Sequence, residues 1–249
     1  MKLSKRLETI ASFVPEGSRI ADIGTDHGYI PIHLVQEGKA KHAIAMDVRT
    51  GPLLRAQSHI QEAGLIDEIE VRLSDGLLKL EKDEADCVVI AGMGGELMIH
   101  ILEEGRRLWD HVPCWVLSPQ SELHKMRRFL MEQAFFIEQE TMIKEDGKYY
   151  VVMRAVRKSV GDGNDGREIS YRYGKNLLQT KNPVLTEYLV KEEEQIKGIL
   201  NGLSAGESIA AEKRMRELER ELSWNKEAQD AMRGTDEKTG TAGTGKLCL

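Results

Sequence analysis

The first junction between a strand and a helix in this chain reads Ala21-Asp22-Ile23-Gly24-Thr25-Asp26-His27-Gly28-Tyr29-Ile30-Pro31. An apolar run, Arg19–Ile23, leads into it, and a helical pattern, Ile30–Glu37, follows it. The two glycines allow a tight turn and let a ligand approach the backbone closely. In an open α/β sheet, such a turn lies at the carboxyl edge of the strands, where nucleotide-like ligands bind.

The alternation of apolar runs and helical patterns continues along the chain. The further predicted strands are Ala43–Asp47, Ile69–Leu73, Cys87–Ala91 and Trp115–Ser118, and the predicted helices between them are Gly51–Ala63, Glu96–Leu108 and Ser121–Gln133. Short strands separated by helices of this length indicate βαβ units. We therefore expect a parallel sheet with right-handed crossovers and helices on both faces.

The pattern changes after Gln133. Phe135–Lys144 and Tyr149–Arg157 are extended runs rich in Val, Ile, Tyr and Phe, and the Asp146-Gly147 pair between them is typical of a hairpin turn. A parallel sheet that ends in an antiparallel pair fits the Rossmann-like, seven-stranded sheet of class I methyltransferases better than an all-parallel dehydrogenase domain. We predict that residues 1–158 form an α/β domain of this class.

A second, helical part is predicted after a linker at residues 159–166. The linker is rich in Gly and Asp, and residues 167–232 carry apolar side chains at heptad spacing. The two seams are Leu185, Leu189, Glu192, Ile196, Ile199 and Leu203, and Ala211, Met215, Leu218 and Leu222. With a break at Ser204–Glu207, they predict an antiparallel coiled-coil hairpin. Residues 233–249, rich in Gly, Thr and Lys, predict a disordered tail.

The composition argues against several classes of protein. The 249 residues contain no apolar run of the roughly 18–20 residues that a membrane span needs. The beginning of the chain lacks the features of a signal peptide, and its three cysteines are isolated, so we expect a cytoplasmic protein without disulfides. A net charge of -6 means that any nucleic-acid site must be a local basic patch.

Acidic residues follow the first three predicted strands. Asp22 and Asp26 flank Gly24, Asp47 ends the second strand, and Ser74-Asp75-Gly76 follow the third. A pyrophosphate favours bare backbone N–H groups, whereas carboxylates suit a cation such as the ammonium and sulfonium groups of S-adenosylmethionine. Asp47 lies at the distance from Asp22 at which an acid binds the ribose hydroxyls of an adenosine cofactor. We therefore expect these acids to form a cofactor site.

Local roles remain open for the same residues. Asp22 would also serve as a helix cap beside a simple turn at Gly24, and Ser74 or Asp75 would serve as an N-cap. The loop Gly92-Met93-Gly94-Gly95, after the fourth strand, leaves room for a flat substrate, with a plain glycine-rich turn as the alternative. The chain has no paired-histidine metal motif, no Gly-x-Ser-x-Gly elbow and no Walker loop, so we expect no metal site.

Two motifs together resemble the bacterial tRNA (adenine-22-N1)-methyltransferases, the TrmK family. Asp22–Pro31 is similar to their D-I-G-[ST]-D-H-[AG]-Y-[LI]-P segment, and Gly92–Gly95 matches their G-M-G-G loop. The resemblance extends from residue 1 to about 230 through Leu3-Ser4-Lys5-Arg6-Leu7, the hairpin Glu145–Val151 and Tyr173-Gly174-x-x-Leu177-Leu178. One departure is Leu117-Ser118-Pro119, where the family usually has Leu-Gln-Pro.

The resemblance implies transfer of a methyl group from S-adenosylmethionine to N1 of an adenine in the D-arm region of tRNA. The implied cofactor-binding residues are Asp22, Gly24, Asp26, His27, Asp47, Val48, Ser74, Asp75, Gly76, Gly92 and Met93. The implied catalytic residues are Asp26, Tyr29 and Gly94, and the implied tRNA contacts are Lys5, Arg6 and Gly95. Tyr29 is the candidate for stacking on the extruded base, with a core tyrosine as the alternative. Asp26 is the candidate for binding either the target amino group or the cofactor ammonium.

Basic residues in three clusters are weaker candidates for RNA contacts, since charged runs are usually solvated surface. The clusters are Lys2, Lys5 and Arg6; Arg106 and Arg107; and Lys125, Arg127 and Arg128. The sequence leaves three other hypotheses open: a methyltransferase acting on a small molecule or protein, a cofactor-binding module without catalysis, and an NAD dehydrogenase that lacks its G-x-G-x-x-G motif. It also leaves monomer and dimer open.

Overall fold

The apolar runs of the first half of the chain form one sheet. In the computed structural model, which describes residues 3–157, 165–203 and 209–234, the strands are β1 (Ser18–Ile23), β2 (Ala40–Asp47), β3 (Ile69–Leu73), β4 (Cys87–Ala91), β5 (Cys114–Ser118), β6 (Phe135–Glu145) and β7 (Lys148–Arg157). Their order is β3-β2-β1-β4-β5-β7-β6. Strands β1 to β5 are parallel, and β7 is antiparallel to both β5 and β6. The predicted α/β fold with an antiparallel hairpin at one edge is confirmed.

Five α-helices accompany this sheet in the described residues up to 157. They are α1 (Lys5–Ser12), α2 (Tyr29–Gln36), α3 (Thr50–Glu62), α4 (Gly95–Glu104) and α5 (Leu123–Glu132). The sequence analysis missed α1, a helix of eight residues that begins after Ser4, whose hydroxyl accepts the Leu7 N–H at 3.4 Å. The N-cap thus satisfies one of the amide donors that a helix start leaves free.

The helix predicted over Glu96–Leu108 is shorter than expected. It ends at Glu104, and a 3-10 turn covers Arg106–Leu108. The indole N–H of Trp109 donates to the Leu102 carbonyl at 2.9 Å. That carbonyl belongs to the last turn of α4, where carbonyls lack helical partners, so the side chain takes over a bond that a longer helix would have made.

The chain divides into two units, Met1–Arg167 and Glu168–Leu249. The second contains a π-helical turn at Ser170–Gly174 and the helices α6 (Lys175–Gln179), α7 (Pro183–Leu203) and α8 (Ile209–Arg233). Leu185, Leu189, Ile196 and Leu218 of the predicted seams are buried. Ile199 is 48% exposed, so the predicted seam is wrong at this position. The charged interruption, Glu192, accepts hydrogen bonds from the Tyr173 and Tyr188 hydroxyls at 2.7 and 2.9 Å.

Some predictions fall outside the described residues. They concern Lys2, most of the linker 159–166, the break at Ser204–Glu207 and residues 235–249 of the tail. Within the described ranges, no helix is long and apolar enough to cross a membrane. No group of three His, Cys, Asp or Glu side chains in the same ranges could hold a metal ion.

A buried ion pair fastens α5 to β6. The Arg127 Nε donates to Glu140 Oε1 at 2.8 Å, and the two side chains are 3% and 1% exposed. Burial raises the pKa of Glu140, and the Arg127 charge opposes that rise. The interpretation of Arg127 as a candidate RNA contact is therefore wrong, because its guanidinium lies in the interior.

The ion pair yields a stability prediction. Because Arg127→Ala leaves a buried carboxylate without its charged partner, we expect a loss of about 3–5 kcal/mol of unfolding free energy. The double variant Arg127→Met, Glu140→Leu removes both charges and should be much more stable than the single one. Urea unfolding at pH 7 measures both variants. Equal losses in the single and double variants would contradict this account.

Candidate active site

The carboxyl ends of the central strands bring the predicted site segments to one edge of the sheet. Ile23 of β1 pairs with Met46 of β2 and with Ile90 of β4. Beyond the ends of β1, the Gly24 and Thr25 N–H groups both donate to the Met46 carbonyl, at 2.8 and 2.9 Å. The turn after β1 is therefore tied to the end of β2, beside the loop that follows β4.

Two buried carboxylates lie under this edge. Asp22 is 6% exposed and Asp47 is 7% exposed. Burial raises the pKa of Asp22 to about 6; the Thr25 hydroxyl opposes the rise, and the Asp47 charge adds to it. Asp47 Oδ1 accepts the Arg49 N–H at 2.7 Å, which fixes the orientation of this carboxylate at the end of β2. Both predicted cofactor-binding acids thus lie at the same edge.

The loops after β1 and β4 touch at Gly24 and Met93. Gly24 has φ +77°, in the left-handed region, and a Cβ at this position would overlap the terminal methyl group of Met93. The positive φ favours glycine here, whereas the methionine methyl group could move away from a Cβ. The structure therefore brings together two residues that the sequence analysis assigned to the cofactor site from separate motifs.

Asp26 lies on the outer side of the same turn. Its side chain is 60% exposed, and Oδ1 accepts a hydrogen bond from the Arg55 guanidinium of α3 at 2.8 Å. This bond lowers the pKa of Asp26, and the positive charges of Arg55 and Arg49 act in the same direction. Asp26 is therefore a carboxylate at neutral pH. The sequence analysis missed Arg55, because an arginine on a helix 29 residues away carries no signal of such a contact.

Tyr29 takes part in an aromatic cluster with His27 and His59. The three ring centroids are 5.1 to 5.5 Å apart, and the planes differ by 11 to 18°. The His59 Nδ1 lies 3.0 Å from the His27 carbonyl oxygen, so α3 also contacts the turn here. His27 has φ +66°, a strained conformation for a residue with a side chain. The Tyr29 ring is thus already stacked within the protein, and the sequence analysis missed His59.

The glycine loop after β4 packs closely against the loop after β5. The Gly95 N–H donates to the Ser121 carbonyl at 3.2 Å, and a Cβ at Gly95 would lie 2.7 Å from that oxygen. At Gly94, a Cβ would lie 3.0 Å from the Ser121 hydroxyl oxygen. Packing therefore accounts for glycine at Gly95 and leaves little space for a side chain at Gly94. The predicted roles of both residues toward the substrate remain predictions.

Residues after β2 and β3 complete the edge. Val48 is 58% exposed and Leu73 is 44% exposed, which leaves two apolar side chains open to solvent beside Asp47. The buried Ser74 hydroxyl donates to the Gly76 carbonyl at 3.1 Å and accepts the Lys79 N–H at 3.2 Å. The side chain of Ser74 is thus used within its own loop, and Asp75 is exposed. No helix lies between β3 and β4, so the alternative of a helix N-cap at Ser74 or Asp75 is wrong.

Helix α1 brings two basic residues to the same region. The Lys5 Nζ donates to the Lys144 carbonyl at 3.3 Å, and the Arg6 N–H donates to Glu145 Oε1 at 3.3 Å. The Arg6 guanidinium lies 5.2 Å from the centre of the Tyr150 ring. A Cβ at Gly92 would lie 3.9 Å from one of its terminal nitrogens. Arg6 therefore lies next to the glycine loop.

Comparisons with known proteins agree with this geometry. A family model described as a methyltransferase domain matches residues 3–153. The tRNA (adenine(22)-N(1))-methyltransferase of Bacillus subtilis is 35% identical over 233 residues, which cover 92% of this chain and 98% of that protein. This chain belongs to the tRNA (adenine(22)-N(1))-methyltransferase family.

Solved structures resemble the chain over most of its length. An uncharacterised protein from Listeria monocytogenes serotype 4b has a TM-score of 0.88 at 32% identity, covering 92% of this chain and 100% of its own. A Streptococcus pneumoniae protein described as a putative tRNA (m1A22) methyltransferase, in complex with S-adenosyl-L-methionine, has a TM-score of 0.80 at 32% identity. The match covers 91% of this chain and 99% of that one.

In this member of the tRNA (adenine(22)-N(1))-methyltransferase family, most other basic candidates are engaged within the chain. The Arg107 guanidinium donates to the Leu77 and Leu78 carbonyls at 3.1 and 2.8 Å. Arg106 pairs with Glu103 at 3.2 Å, and Lys125 pairs with Glu96. Arg6 differs, because no carboxylate in the described part of the chain forms an ion pair with its guanidinium.

The buried Asp22 predicts a specific dependence of stability on pH. Its pKa is about 6 in the folded protein and 3.8 as an ordinary side chain, so the folded state binds the proton more tightly. The contribution of Asp22 to the free energy of unfolding is fully present below pH 4. It is lost as the pH rises through 6, and the total loss is about 3 kcal/mol. Asp22→Asn carries no charge and should remove this loss. We expect the variant to gain stability over the wild type at pH 7 but not at pH 4.

Urea unfolding of both proteins from pH 4 to pH 8 measures this difference. A free-energy difference between variant and wild type that stays constant over the whole range would contradict the assignment.

Proposed function

We propose that this chain transfers a methyl group from S-adenosylmethionine to N1 of adenine 22 in tRNA. The observation that carries the proposal is the contact of Gly24 with Met93 above the buried Asp22 and Asp47. It joins the acidic edge of the sheet to the loop where a substrate would lie. The Bacillus subtilis relative, whose name states this reaction, supports the choice of substrate.

The residues at this edge fit the proposed cofactor. Asp47 would bind the ribose hydroxyls, and the exposed Val48 and Leu73 offer apolar surface to the adenine ring. Asp22 and Asp26 supply negative charge for a ligand that carries an ammonium and a sulfonium group. When bound, S-adenosylmethionine supplies an electrophilic methyl group. The two acids also disfavour the pyrophosphate of a dinucleotide, so the dehydrogenase hypothesis is the weaker one.

The proposed chemistry asks the protein to position its substrate and to stabilise charge. Adenine N1 has a lone pair in the plane of the ring, so it needs no general base before methylation. The ring gains positive charge during the reaction, and an ionised carboxylate nearby stabilises that charge. Asp26 meets this requirement, because Arg55 keeps its pKa low and its side chain is exposed at the site. It serves either the target base or the cofactor ammonium.

Binding of tRNA is assigned to local features of the chain. The target base must leave its stack, which costs a few kcal/mol. We assign contacts with the phosphates beside the extruded base to Arg6 and Lys5 on α1, whose side chains lie near the hairpin and the glycine loop. We assign catalysis to residues 1–158 and recognition of tRNA shape to the helices of residues 167–232, and we place the reaction in the cytoplasm.

The decisive experiment measures incorporation of labelled methyl groups from S-adenosylmethionine into two unmodified tRNA transcripts, with adenine or guanine at position 22. We expect incorporation into the adenine transcript alone, and alkaline rearrangement of the product to N6-methyladenine should mark the N1 position. Cofactor binding by calorimetry without incorporation into either transcript would overturn the choice of tRNA. Incorporation into both transcripts would overturn the choice of position 22.

The proposed role of Asp26 predicts a selective loss of activity. Asp26→Asn keeps the size of the side chain but removes the charge, so we expect the rate constant of methyl transfer to fall at least about 10-fold. The matched control is Asp67→Asn, an exposed acid before β3, at the opposite edge of the sheet. Single-turnover methylation measures both variants. Equal rates for the two variants would remove Asp26 from the catalytic step.

A further inference from the structure

The hairpin of β6 and β7 extends beyond the edge of the sheet where the proposed site lies. These strands have 11 and 10 residues, whereas β5 has 5. The pairing of β5 with β7 runs from Trp115 opposite Ala155 to Leu117 opposite Met153. Tyr150 lies three residues nearer the hairpin turn, about 10 Å beyond Met153 at 3.3 Å per residue. It therefore overhangs the carboxyl edge.

The Arg6 side chain lies between the Tyr150 ring and the glycine loop. The Arg6 guanidinium lies 5.2 Å from the centre of the ring and also reaches the surroundings of Gly92. The backbone of Arg6 is held by Glu145, on the same hairpin, so α1 and the hairpin are fastened together beside the site. The space between Tyr150 and the glycine loop is thus filled by a flat, charged group at the end of a flexible chain.

The two tyrosines near the site differ in what their faces contact. Tyr29 lies against His27 and His59, and because these two rings are 5.3 Å from each other, both lie to the same side of Tyr29, held there by the turn and by α3. The Arg6 guanidinium lies over the face of Tyr150, and the Tyr150 side chain is half-buried. Arginine planes and nucleobases both stack on aromatic faces. A base can therefore replace the guanidinium without breaking the core.

We propose that Tyr150 is the residue on which the extruded adenine stacks. The base takes the place that the Arg6 guanidinium holds in the free protein, and Arg6 turns to a neighbouring phosphate of the tRNA. Tyr150 is thereby a positioning residue that contacts the substrate, in the role that the sequence analysis gave to Tyr29. This inference rests on the proposed function, because it needs a base as the methyl acceptor.

The test compares Tyr150→Ala, Tyr150→Phe and the control Tyr149→Ala, in which the neighbouring tyrosine of the same strand points to the other face of the hairpin. We expect Tyr150→Ala to lower kcat/KM for the adenine-22 transcript about 10- to 100-fold, and Tyr150→Phe to retain the wild-type value because the ring is kept. The dissociation constant of S-adenosylmethionine should not change. If Tyr150→Ala loses cofactor binding, Tyr150→Leu, which keeps most of the volume without an aromatic face, takes its place.

A second measurement reports stacking directly. A tRNA transcript with 2-aminopurine at position 22 is bound in the presence of S-adenosylhomocysteine, and its fluorescence is recorded. We expect a dim, stacked probe with the wild type, Tyr150→Phe and Tyr149→Ala, and a several-fold brighter probe with Tyr150→Ala.

The outcomes separate the two proposals. If Tyr150→Ala matches Tyr149→Ala in both kcat/KM and fluorescence while the wild type methylates tRNA, the role of Tyr150 is wrong and the proposed function stands. If Tyr150→Phe loses as much activity as Tyr150→Ala, the hydroxyl group matters and stacking is wrong. If the wild type binds the cofactor but methylates neither transcript, both proposals fall.

Discussion

The parallel pairing of β1 with β2 and β4 is the constraint on which the candidate site depends. Parallel strands in register bring their loops to one edge of the sheet, and here the loops after β1 and β4 meet in a close contact between Gly24 and the Met93 side chain. The backbone of the turn is fixed by hydrogen bonds to Met46, and the next loop is fixed by Ser121. The site is therefore built on ordered strands and close packing, which is the arrangement that positions reacting groups well.

The same arrangement of strands explains why the candidate site lowers the stability of the folded protein. Asp22 lies at the end of a central strand, where neighbouring strands and loops exclude water, so its charge is poorly solvated. An apolar residue would suit this position better if stability alone mattered. Asp26, by contrast, is exposed and paired with Arg55. The end of β1 and the turn after it thus hold two carboxylates with opposite shifts in pKa, which is characteristic of functional sites.

The sequence could predict what depends on local pattern, and it missed what depends on distant contacts. Periodicity predicts the strands and the hairpin, and the residue types at strand ends predict the acids at the ends of β1 and β2. The fold and the acidic edge could therefore be predicted from the sequence. The contacts of Arg55 and His59 with the first turn join residues about 30 positions apart, and no local pattern encodes them. Arg127 looked like a surface cation because its burial depends on Glu140, on a different element. Helix α1 was missed because eight residues give little periodicity.

A charged residue that interrupts the apolar spacing of α7 takes part in a hydrogen-bonded polar layer between the helices. Glu192 interrupts the apolar spacing of α7, and in the structure it accepts hydrogen bonds from Tyr173, from Tyr188 and from the amide of Asn225 at 2.9 Å. Asn225 is fully buried on α8 and also donates to the Leu189 carbonyl at 3.0 Å. Sliding α7 against α8 by one turn would leave the buried Asn225 amide without Glu192 and the Leu189 carbonyl, whereas apolar seams tolerate such a shift. The polar layer therefore specifies one pairing of the two helices at some cost in stability.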